Sequence, residues 1–286
     1  MRHSPLTTSG PGHRRPDTGP GPDTALPLVA VAHGSSDPRA AASVDTLLNL
    51  VRARAAAAGY PGLDVRASYL GHAAPTLAQA LRAVDGAAVV LPLLLTAAHH
   101  SKTDIPKVLH EVRRARPRLG ISYGRPLGPH PLLRRALERR LAEADGEPPS
   151  ASTAAQSAST TVIVLAAAGS SDPAANAVIT DQAERWQAER GWRAVLPAYA
   201  SAASPTPPEA VAAARRSGAR RVLVASYLLC PGVFADQVRS DCLAAGAGAV
   251  SPVLGAAPEI ADIVLGRYAE SLTSGAVPLT DGAAAV

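Results

Sequence analysis

Leu28-Val29-Ala30-Val31-Ala32-His33-Gly34-Ser35-Ser36-Asp37-Pro38 reads as a strand, a turn and the start of a helix. The five apolar residues show no alternation, which is the pattern of a parallel strand covered on both faces. Asp37 and Pro38 look like an N-cap followed by proline at the first helical position. The same pattern returns at Val164-Leu165-Ala166-Ala167-Ala168-Gly169-Ser170-Ser171-Asp172-Pro173. Only the histidine column differs in kind, and His33 has become Ala168.

The repeat can be followed outward from these turns. Helices are expected over roughly 37–58 and 172–189, closing at Gly59 and Gly191. A second strand ends in Ser68-Tyr69-Leu70 and again in Ala198-Tyr199-Ala200. Pro75-Thr76 and Pro205-Thr206 each lead into an Ala-rich helix, and Thr206-Pro207-Pro208-Glu209 has the form of a capping box. The third strand is the most apolar, Ala87 to Leu95 and Arg221 to Leu229. A fourth strand and helix follow, with Gly128-Pro129-His130-Pro131 matching Gly255-Ala256-Ala257-Pro258.

Strands alternating with helices predict an α/β fold of two tandem, similar domains. Each is a small parallel sheet flanked by helices. We expect a disordered tail at 1–25, one domain at 26–144, a linker at 145–160 rich in small polar residues, the repeat domain at 161–273, and a second tail at 274–286.

Composition bounds the function. Hydrophobic residues make up 47% and charged residues 18%, which suits a globular chain with ample core. Lys102 and Lys107 are the only lysines, so the net charge of +5 comes almost wholly from arginine. No basic run carries interleaved aromatics, which argues against nucleic acid, whereas an arginine excess suits a polycarboxylate or phosphate ligand. The bland alternative is a preference for arginine on solvated helix faces. No apolar stretch is long enough for a membrane span, and the N-terminal residues lack the apolar core of a signal peptide. Cys230 and Cys242 are too few for a cysteine metal cluster or a disulfide scaffold, so a reducing cytoplasm is expected.

All eight histidines lie within the first 130 residues. His33, His72, His99, His100 and His130 each fall just past the end of a predicted strand, the edge where open parallel sheets bind ligands. Their counterparts in the second copy are Ala168, Ala202, Val233, Phe234 and Ala257. His3 and His13 belong to the tail, and His110 lies mid-helix. One histidine at a strand end is commonly a cap, but several on one edge point to divalent metal. Neutral imidazole binds borderline ions and accepts protons near neutral pH. Two or three such ligands with open positions make a labile site that can release its metal. Ser101-Lys102-Thr103-Asp104 reads as a capping box opening the third helix, and Lys102 could hold a carboxylate beside the site. Cys230 ends a strand of the second copy and reads as a small buried hydrophobe. No phosphate-binding loop follows a strand, so nucleotide binding is unsupported.

Ala32-His33-Gly34-Ser35, taken with Leu93-Leu94-Leu95-Thr96-Ala97-Ala98-His99-His100-Ser101-Lys102-Thr103-Asp104-Ile105-Pro106 and Pro126-Leu127-Gly128, resembles the sirohydrochlorin chelatase family in its long two-domain form. These are ATP-independent class II lyases that insert cobalt or ferrous iron into a tetrapyrrole. The resemblance implies insertion of Co2+ or Fe2+ into sirohydrochlorin, for sirohaem or cobalamin, with the metal as substrate and no permanently bound cofactor. It implies a cleft between the two domains and places the two active-site histidines, as metal ligands and catalytic groups, on His33 and His100. His99 is an adjacent extra histidine, facing the other way if the segment is extended. Where the family often carries an acidic residue after the second strand, this chain reads Leu70-Gly71-His72, so His72 takes that place. The second copy, through Ala168, Val233 and Phe234, would form an apolar wall against the ring.

Two other readings compete. A non-catalytic metal or tetrapyrrole carrier needs the same ligands and cleft, but binds once and stops. A histidine phosphatase also places His-Gly after a first strand, yet that chemistry needs an arginine just before the histidine, where this chain has Ala32.

Overall fold

The computed structural model describes residues 25–96, 103–146 and 159–273. The chain runs β1 (Leu28–Ala32), α1 (Pro38–Ala55), β2 (Val65–Tyr69), α2 (Leu77–Arg82), β3 (Ala87–Pro92), α3 (Ile105–Ala115), β4 (Gly120–Tyr123) and α4 (Pro131–Asp145). The second half repeats it as β5 (Thr161–Ala167), α5 (Pro173–Arg190), β6 (Ala194–Tyr199), α6 (Pro207–Arg216), β7 (Arg221–Tyr227), α7 (Val233–Ala244), β8 (Ala249–Val250) and α8 (Pro258–Thr273). Two parallel four-stranded sheets result, ordered β2-β1-β3-β4 and β6-β5-β7-β8. The predicted α/β architecture of two similar parallel sheets is what the chain forms.

Asp37 and Asp172 cap α1 and α5, each accepting the N–H two residues on, and each helix has proline in its first turn. Gly191 closes α5 in the left-handed conformation, donating to Gln187 O, whereas α1 ends at Ala55, short of Gly59. Thr206 N donates to Glu209 Oε2 at 2.8 Å, as a capping box requires, and Thr76 N donates likewise to Gln79. The box expected at Ser101–Asp104 involves Ser101 and Lys102, which lie outside the described residues. Asp104 stands at the N-cap of α3 with no side-chain cap bond. Pro106 falls in the first turn of α3, where a residue without N–H fits. The third strands are also shorter than predicted, ending at Pro92 and Tyr227, because β1 and β5 turn away at Ala32 and Ala167.

The faces of β1 part company by period two. Val29 and Val31 pack with Leu77, Leu81, Ile105 and Leu109 of α2 and α3. Leu28, Ala30 and Ala32 enter a single core that also takes in α1, α4, α5, α8 and the inner face of the second sheet. The second sheet does the same, with Val162, Val164 and Ala166 facing α6 and α7.

The last helix of each half packs on the other half. Helix α4 lies against β7 and β8, while α8 lies against α1, β3 and β4. Tyr268 of α8 is fully buried, donates to Leu26 O at 2.7 Å and meets Tyr60 edge-on with ring centroids 4.9 Å apart. Arg267, buried on α8, donates to Pro126 O at 3.0 Å and so satisfies a carbonyl of the loop after β4. In the other direction, Arg140 of α4 donates to Leu254 O at 2.8 Å, Arg221 pairs with Asp145, and Glu138 accepts from the indole N–H of Trp186. The linker expected at 145–160 falls mainly on residues 147–158, outside the described residues, as do the tail residues 1–24 and 274–286.

Arg139 of α4 and Glu259 of α8 join the exchanged helices at 2.5 Å. Burial raises the Glu259 carboxyl, but the hydrogen bond and charge of Arg139 outweigh it and hold the carboxyl below its ordinary value of 4.5. A depressed carboxyl contributes stability that is full above its unfolded pKa and is lost as pH falls through the folded one. Glu259→Gln should therefore lower stability by about 1 kcal/mol at pH 7, or about 2 °C in Tm, with the difference shrinking as pH falls below the ordinary carboxyl value of 4.5. Thermal melts of both proteins across pH 3–7 check this, and an unchanged gap at low pH would contradict it.

Candidate functional site

In a sheet ordered 2-1-3-4 the chain reverses direction between the first and third strands, and a crevice opens at their carboxyl ends. Both sheets have such a point. Ala32 aligns with Tyr69, Val31 with Pro92, and Ala167 with Tyr199 and Tyr227, so the strand ends are level. One cleft of about 860 Å³ joins the two crevices. Its walls are Ala32–Asp37 and Leu93–Thr96 from the first half, and Ala167–Ser170 and Tyr227–Ala235 from the second. Beneath it, Tyr227 Oη donates to Leu95 O at 3.1 Å and ties the floors of the halves together.

His33 is exposed and lines this cleft. Its Nδ1–H donates to Gly34 O at 3.0 Å, a bond that leaves the lone pair of the neutral ring on Nε2, the usual atom for a metal or proton. The turn beneath it is built twice. Leu70 N and Gly71 N donate to Ala32 O and His33 O at 3.1 and 3.2 Å, and Ala200 N and Ser201 N donate to Ala167 O and Ala168 O at 2.9 Å each. The Ser35 and Ser170 hydroxyls accept from Asp37 N and Asp172 N at 3.1 and 3.0 Å. Thus His33 and Ala168 stand on matching backbone turns and carry different side chains.

His100, His99 and Lys102 lie outside the described residues. His72 is exposed and is not among the residues lining the cleft. Its φ of 59° suggests a strained functional residue, but Ala202 adopts 58° at the matching position, so the conformation belongs to the architecture. His130 caps α4: its Nδ1 accepts from Leu132 N at 3.1 Å, and burial and then Arg267 lower its pKa, which favours the neutral ring. His110 is exposed on α3, as predicted. Among the described residues, no three His, Cys, Asp or Glu side chains gather as a metal-binding group.

The opposite wall carries the predicted apolar residues. Ala168, Val233 and Phe234 all line the cleft, with Val233 72% and Phe234 46% exposed. Cys230 lines it too, half-buried, and burial pushes its thiol up to about 11, so it is protonated at neutral pH and a poor metal ligand. Sequence reasoning saw Asp37 only as a helix cap. Its carboxylate also lies beside Gly232 of the other half, and its pKa is lowered chiefly by the Arg39 side-chain and backbone bonds. The unequal pair Arg39 and Ala174, one residue past the proline of each repeat, was the available signal.

The CbiX family model matches twice, at residues 27–144 and 162–271. Two tandem α/β repeats facing one strand-end cleft therefore have a family: the chain belongs to the CbiX family. It is 29% identical over 177 residues to a sirohydrochlorin ferrochelatase of Priestia megaterium, covering 60% of this chain and 63% of that protein. It is 28% identical over 150 residues to a sirohydrochlorin cobaltochelatase of the same organism, covering 52% of this chain and 47% of the other. The matches thus span less than two thirds of these curated relatives. The fold resembles that of SirB from Bacillus subtilis with Fe3+, at TM-score 0.71 and 23% identity over 88% of this chain and 97% of that one. SirB of Bacillus subtilis subspecies spizizenii in complex with cobalt matches at TM-score 0.68 and 22% identity, over 87% and 95% of the two chains.

A Cβ on Gly34, whose φ is +89°, would lie 1.8 Å from Gly71 O, and one on Gly169 would lie 1.9 Å from Ser201 O. Gly34→Ala and Gly169→Ala should each cost about 3 kcal/mol, equally, because the strain is in the copied backbone. Chemical denaturation checks this, and a loss at only one position would show that the turns are not equivalent.

Proposed function

We propose that this protein inserts Co2+ or Fe2+ into sirohydrochlorin without ATP, in sirohaem or cobalamin biosynthesis, as a cytoplasmic lyase. The observation that carries the reading is the shared cleft, with an imidazole on one wall and an apolar surface on the other, in a chain of the CbiX family. The names of its relatives supply the ring and the metals. The metal is substrate, and the reading requires no resident cofactor.

Insertion exchanges the ligands of the metal ion for four ring nitrogens while two pyrrole N–H protons depart. His33 and His100 carry the metal-holding role in this reading, and an imidazole takes up a displaced proton. The ring lies with one face toward His33 and the other against Ala168, Val233 and Phe234, which exclude water from the exchange. His72 and His99 are possible further contributors, and Lys102 a carboxylate partner. The domain limits 26–144 and 161–273 follow the two copies, each bringing one wall.

Absorbance change on adding Co2+ or Fe2+ to sirohydrochlorin tests the reading directly. His33→Ala and His100→Ala should each lower kcat/KM by 100-fold or more, on the order expected when a ligand and proton acceptor is lost. Near-normal rates in both variants would overturn it. Product formed in excess over enzyme separates a chelatase from a carrier, which would stop after one equivalent.

A further inference from the structure

Arg39 is the second residue of α1, where the other copy has Ala174. It does not itself line the cleft but is bonded to the cleft-lining Asp37 and to Asp236, which lies between the lining residues Ala235 and Gln237. Its guanidinium bridges the halves. Nε and Nη2 donate to Asp37 at 3.1 and 2.6 Å, and Nη2 donates to Asp236 Oδ2, in the first turn of α7, at 2.7 Å. The two carboxylates are unlike. Asp37 is 12% exposed, lines the cleft, and also accepts from the backbone N–H of Arg39 at 3.0 Å. Asp236 is 56% exposed.

A guanidinium has five N–H donors, so the edge held by Asp37 can stay in place while the other edge changes partner. Exchanging one exposed carboxylate for another conserves charge and costs little desolvation. Beside this cation, Val233 and Phe234 present an apolar surface into the cleft. A flat apolar ring with a carboxylated rim is the ligand that matches such a pairing.

We propose that Arg39 reads a peripheral carboxylate of the tetrapyrrole, and that Asp236 is the internal carboxylate which that group displaces. The ring face then rests on Val233 and Phe234 while its rim is gripped by Arg39, and Asp37 keeps the guanidinium aimed. The proposal rests on the chelatase reading above.

The experiment is an absorbance titration of the metal-free 286-residue chain with sirohydrochlorin. Arg39→Gln should weaken binding about tenfold, while Asp236→Asn should tighten it about threefold by removing the competitor. Arg39→Lys, which keeps the charge and loses the fork, should fall between wild type and Arg39→Gln. If the pair were only a strut between the halves, Arg39→Gln and Asp236→Asn would shift affinity in the same direction. That result, or unchanged affinity in both, overturns the proposal. Should Arg39→Gln fail to fold, the Asp236→Asn result still decides it, since wild-type or weaker affinity there contradicts exchange. A wild-type protein that neither binds sirohydrochlorin nor inserts metal would instead defeat the chelatase reading itself.

Discussion

The constraint on which this molecule depends is the apolarity of its central strands on both faces. Leu28–Ala32 and Val162–Ala167 are almost entirely shielded from solvent, so each sheet must be covered twice. One face is covered locally, by α2 and α3 or by α6 and α7. The other is covered from a common helical core in which α4 and α8 change sides. Because the halves share that core, their strand ends meet along one cleft.

Within that frame the chemistry is a matter of side chains placed on a copied backbone. The two turns share their paired backbone hydrogen bonds, the glycine and the serine and aspartate caps, while side chains such as His33 and Arg39 distinguish the first from the second. The left-handed residues His72 and Ala202 make the same point in the opposite sense. There the histidine is unusual in conformation, yet the conformation persists when the imidazole is gone. Duplication thus separates what the fold needs from what the site adds, and it does so without any ligand in view.

Much of this was legible in the sequence because short-range rules govern it. The apolar runs specified buried parallel strands, Asp37-Pro38 and Asp172-Pro173 specified helix starts, and Gly191 a helix end. The departures arose where a distant neighbour decides. Strands β3 and β7 stop where β1 and β5 turn away. His130 read as one more strand-end histidine, and only its bond to Leu132 N marks it as a cap. Asp37 read as a cap alone, since its place beside Gly232 and its link through Arg39 to Asp236 join residues far apart in the chain.

By itself, the sequence determined the duplicated α/β pattern, the strand-end placement of the histidines and the apolar character of their counterparts, because periodicity, capping and strand-end position are local properties. Only the tertiary structure decided that the two strand-end edges face each other, that the last helices are exchanged, and that Asp37, Arg39 and Asp236 meet beside the cleft. Those outcomes depend on how two apolar sheet faces share one core, and no local pattern in the chain encodes that packing.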